Sequence, residues 1–134
     1  MFRRLDSLFV GAIAAFAVLA LSATLSRDLG SQSVLPETGQ ITKAMVNSGR
    51  DVFHGAGTCF ACHGAELEGT PIAPTLQKHA WKDAKDGTLP EIYRVVTHGV
   101  DGTAMVSHPG GITDAQAVYA AVYVYSVSHG TAQP

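Results

Sequence analysis

At 134 residues the chain is long enough for one compact domain with a tail and too short for a second independent core. Nine basic against eleven acidic side chains leave a formal charge of −2, so there is no basic stripe to neutralise a row of phosphates, which argues against nucleic acid as a partner. The two cysteines, Cys59 and Cys62, are too close in sequence to staple a distant loop, so their chemistry is local.

Arg3 and Arg4 precede an uncharged run of 18 residues from Leu8 to Leu25. That run exceeds the roughly 7–15 residues of a signal-peptide core, and as a helix it covers about 27 Å of a hydrocarbon layer roughly 30 Å thick. Residues 1–26 are therefore read as an N-terminal membrane anchor, a single transmembrane helix. A cleaved signal sequence is the alternative, because Ala20-Leu21-Ser22 and Ser22-Ala23-Thr24 are passable cleavage sites. With Arg3 and Arg4 held in the cytoplasm, everything after Leu25 is expected on the outer side.

Residues 27–42 carry Gly30, Ser31, Ser33, Pro36 and Gly39 with little apolar periodicity, the composition of a flexible linker. A domain is expected over 43–134. Its first helix runs from about Lys43 to Phe53, with Val46, Gly49, Val52 and Phe53 on one face. Glu66 to Pro74 reads as loop, broken by Gly69, Pro71 and Pro74. Thr88-Leu89-Pro90-Glu91 has the pattern of a capping box opening a helix over Leu89 to His98, and Gly99 closes it. A second capping box, Thr113 to Gln116, opens a last helix ending near Ser128. No alternating segment competes as a strand.

Cys59-Phe60-Ala61-Cys62-His63 is the spacing at which two thiols add across the vinyl groups of one porphyrin while the adjacent histidine sits below the iron. One such motif means one haem. A thioredoxin-like dithiol would follow a strand rather than a helix, and a zinc site would need further paired ligands that His54, His79, His98, His108 and His129 do not supply. An exported chain fits covalent haem, which is attached outside the cytoplasmic membrane. For the sixth iron position the leading candidate is Met105, in the glycine-rich loop Gly99 to Met105. His108 is its rival, with His98, His79 or an open position behind it. Met45 lies on the helix before the cysteines, on the wrong side.

From about Val46 to Ser128 the chain resembles the class I c-type cytochromes, the bacterial monohaem members in particular. The resemblance is carried by Gly49 to Phe53, Cys59 to His63, Ala73-Pro74-Thr75-Leu76, Gly99 to Met105 and Ala121 to Tyr125. It implies an all-α fold, a small cytochrome c-like helical domain enclosing one covalently bound haem c, here behind a single N-terminal transmembrane helix. It further implies that the Pro74 carbonyl accepts the His63 ring N–H, and that Gly49 and Phe53 meet Ala120 and Tyr123 where first and last helices cross. Trp81 is expected near the haem edge. The chain differs from the family in having Val106 directly after the methionine, with proline delayed to Pro109.

The expected function is electron transfer by a membrane-tethered carrier or haem subunit, without enzymatic activity or a small-molecule substrate. His63 and Met105 are the expected axial ligands, and redox partner proteins the expected partners. The expected location is the bacterial cytoplasmic membrane, haem domain on the periplasmic side. A fixed subunit of a larger respiratory or photosynthetic complex is the alternative, and a sensor or peroxidase-like protein with an open sixth site a third. From Ser31 onward six basic and nine acidic side chains give a net of −3, which favours partners with basic or apolar docking surfaces.

Overall fold

The last helix, α4, organises the domain. In this computed structural model, which describes residues 34–77 and 81–134, four α-helices follow in order. They are α1 (Lys43–His54), α2 (Phe60–His63), α3 (Leu89–His98) and α4 (Asp114–Ser128). The expected membrane helix of residues 1–26 and the first part of the linker lie outside the described residues, as do Lys78 and His79. Among the described residues no strand forms, and no helix is long and apolar enough to cross a membrane.

Helix α1 begins where Thr42 Oγ1 accepts the Met45 N–H at 3.3 Å, and it buries Gly49, Val52 and Phe53 on one face. That face lies on α4, and Gly49 makes the approach possible. A Cβ there would collide with the Tyr119 carbonyl and stand 2.6 Å from Tyr123 Cβ. Phe53 fills the space beside the crossing, edge-on to Tyr123 with ring centroids 5.5 Å apart. The expected crossing of Gly49 and Phe53 with Tyr123 is thus present, and Tyr119 supplies the backbone contact. Leu35 and Ile41, upstream of α1, also pack against this core.

Helix α3 presents Leu89, Ile92 and Val96 to the other side of α4 and ends at Gly99, whose φ of 74° lets its N–H return to Val95 O. Caught between α1 and α3, α4 is apolar almost all round, as a helix with neighbours on two sides should be. Its capping box forms as expected: Gln116 N–H donates to Thr113 Oγ1 at 3.3 Å and Thr113 N–H to Gln116 Oε1 at 2.9 Å. The box expected at Thr88 does not. Thr88 holds the N-cap backbone conformation, but its side chain caps nothing, and Glu91 pairs instead with Arg94 Nε at 3.0 Å.

Candidate cofactor site

One turn of helix carries the attachment motif. Cys62 and His63 N–H groups both return to Cys59 O, at 3.2 and 3.0 Å, so residues 59, 62 and 63 share a face. Gly57 is needed just before it, since a Cβ there would stand 2.9 Å from Cys59 Sγ. After it, Gly64 (φ 84°) turns the chain, and Thr70 Oγ1 donates to Cys62 O at 2.6 Å while Gly69 N–H donates to His63 O at 2.7 Å. The turn is thereby fastened to the loop that follows it.

The two cysteines form no disulfide, and both line a cavity of about 570 Å³. That volume lies in the range of cofactor-sized pockets, roughly 300–1,000 Å³. The walls are mostly apolar: Phe53 from α1, Ile92, Val95 and Val96 from α3, Ala120 and Val124 from α4. Burial pushes the Cys59 thiol up to about 11, against the pull of its backbone hydrogen bond and helped by neighbouring Cys62. A nucleophilic thiol needs the opposite shift, so Cys59 is not poised as one. Among the described residues no group of three His, Cys, Asp or Glu side chains is placed to hold a metal ion.

His63 lines the same cavity, and its Nδ1 donates to the Pro74 carbonyl at 2.9 Å. That bond assigns the ring proton to Nδ1 and leaves the Nε2 lone pair for a metal. Burial holds His63 below the usual imidazole range, with the Pro74 hydrogen bond opposing, so the neutral ligating form is favoured.

Met105 lines the cavity from the loop between α3 and α4. Several contacts shape that loop. Val100 N–H donates to Met105 O at 2.8 Å, Thr103 Oγ1 to Val100 O at 2.8 Å, and Met105 N–H to Thr103 Oγ1 at 3.1 Å. Gly99 sits so close that a Cβ would stand 2.5 Å from Met105 O. The rival histidines are engaged elsewhere: His108 with Asp114, and His98 with the Arg94 carbonyl. His79 lies outside the described residues. Trp81 lines the cavity and rests on Gly87, where any side chain would strike the indole.

The structure therefore brings Cys59, Cys62, His63, Pro74, Trp81 and Met105 to one cavity. Two exposed apolar residues line it as well, Ile72 and Val106, 70% and 60% exposed. Neither was read from the sequence as part of the site, since both stand in segments without periodicity. Two adjacent thiols, a neutral imidazole and a thioether in an apolar chamber fit a covalently bound haem.

The family model described as "Cytochrome C oxidase, cbb3-type, subunit III" matches residues 44–124. The chain belongs to this family of c-type cytochromes. A comparison with curated proteins finds no significant match. Among solved structures, cytochrome cL from Hyphomicrobium denitrificans superposes with a TM-score of 0.51 at 20% identity, over 60% of this chain and 45% of that one. This chain thus spans less than half of that cytochrome, and the likeness speaks to the fold. The c-type cytochrome NirC aligns at 20% identity and a TM-score of 0.48, over 70% of this chain and 100% of that one. The cofactor of this cytochrome is haem c, joined through Cys59 and Cys62.

Proposed function

We propose that this cytochrome moves single electrons through an iron ligated by His63 and Met105, in a domain tethered by residues 1–26 to the periplasmic side of a bacterial cytoplasmic membrane. The observation that carries the reading is the convergence of the Cys59–His63 turn and the Met105 loop on one apolar cavity. Bound haem supplies a one-electron ferric–ferrous couple. The chain's residues do the rest. Cys59 and Cys62 anchor the ring, Pro74 orients His63, and the apolar walls from α1, α3 and α4 exclude water. A thioether ligand in place of a second imidazole would favour the ferrous state and raise the potential, which suits a carrier whose ligands stay on between cycles. Partners are redox proteins docking by basic or apolar surfaces; no small molecule is turned over.

The test is the oxidised absorption spectrum. Wild type should show the weak far-red band of methionine ligation, and Met105→Ala should lose it and bind added imidazole readily. A band that survives in Met105→Ala removes the ligand assignment. The second reading, a fixed subunit of a membrane oxidase, is favoured by the family's description. A haem-stained band near the monomer mass after mild detergent extraction and native electrophoresis would exclude it.

A further inference from the structure

His108 occupies an unexpected backbone. It is left-handed, with φ 47° and ψ 60°, a region that histidine enters more readily than most residues other than glycine. Thr58, Leu67 and Asp86 also have positive φ, so what sets His108 apart is where this turn carries its ring. Its Nε2 lies 2.8 Å from Asp114 Oδ1, at the first position of α4. The same residue's N–H donates to Val96 O in α3 at 2.9 Å. Gly110, two residues on, packs so tightly against the Ala56 carbonyl that a Cβ would collide. One short turn thus ties the methionine loop to α3, to α4 and to the segment leading into Cys59.

We infer that the His108–Asp114 contact is a clasp that holds the Met105 loop over the cavity and sets how readily an outside ligand displaces the methionine. His108 is a positioning residue acting through Met105. The inference rests on the Met105 ligation proposed above. Its effect is modest, because the two side chains are 33% and 64% exposed and water screens the pair.

The test is imidazole titration of the ferric holoprotein, followed by the far-red band. His108→Ala and Asp114→Ala should each tighten imidazole binding about three- to fivefold, the scale of an exposed pair. The double variant should tighten it no further than the stronger single, since both remove one contact. Asp114→Asn, which keeps an acceptor for the ring N–H, should recover part of the loss. Gly49→Ala disturbs the α1–α4 crossing, away from the pair, and should leave the affinity at the wild-type value. Unchanged affinity in both single variants, or equal tightening in Gly49→Ala, would overturn the clasp. If wild type lacks the methionine band and Met105→Ala changes nothing, the ligation reading fails first and the clasp falls with it.

Discussion

Tyr123 is fully buried at the α1–α4 crossing, and its hydroxyl has no hydrogen-bond partner. Burial raises its pKa, while the Arg50 charge pulls the other way. Ionisation is therefore harder in the folded state than in the unfolded chain, where tyrosine titrates near pH ~10. The stability linked to this group is fully present below that value and is lost as pH rises through the higher folded value. Tyr123→Phe should accordingly resist alkaline unfolding better than wild type, read as urea midpoints at pH 7 and at about pH 11. At pH 7 the change should be neutral or stabilising, because an unpaired buried hydroxyl costs roughly 1–3 kcal/mol. A large loss at pH 7 would mean that the hydroxyl has a partner.

At the scale of elements, Gly49 sets two effects against each other. Alanine gains about 1 kcal/mol of helix propensity over glycine. Its Cβ would nonetheless meet the Tyr119 carbonyl and Tyr123 Cβ, and overpacking of that kind costs about 1–3 kcal/mol or more. Collision wins, because the atoms it strikes are backbone and a buried ring. Gly49→Ala should lower the unfolding midpoint; an unchanged midpoint would show that the helices yield. The two capping signals give a sharper contrast. Thr113→Ala should cost about 1 kcal/mol, whereas Thr88→Ala should change stability by less than about 0.5 kcal/mol, since Thr88 makes no side-chain cap. Equal losses in thermal melts would contradict the difference. Helix ends were legible in the sequence at Leu89, His98 and Asp114 because proline, glycine and threonine mark them locally, and near Lys43 and Ser128 from apolar periodicity. The Thr88 box was not, because the same pattern does not say that Arg94 will take Glu91.

In the whole molecule, one cavity gathers residues from four helices and three loops. The attachment chemistry was readable because five consecutive residues carry it. Pro74 and Trp81 came into view through family resemblance, since segments 64–88 have neither helical nor strand periodicity to locate them. The His108–Asp114 contact was not readable, because it depends on the left-handed turn at His108 that returns the ring to the first residue of α4. Ile72 and Val106 leave an apolar mouth on a domain whose residues from Ser31 onward sum to −3.

The central claim is a closed haem iron that only exchanges electrons, and redox titration of the holoprotein with and without carbon monoxide tests it most directly. The account predicts one reversible one-electron transition and a reduced spectrum that carbon monoxide leaves unchanged. Rapid binding of carbon monoxide to the reduced protein, or the absence of a reversible one-electron wave, would contradict it.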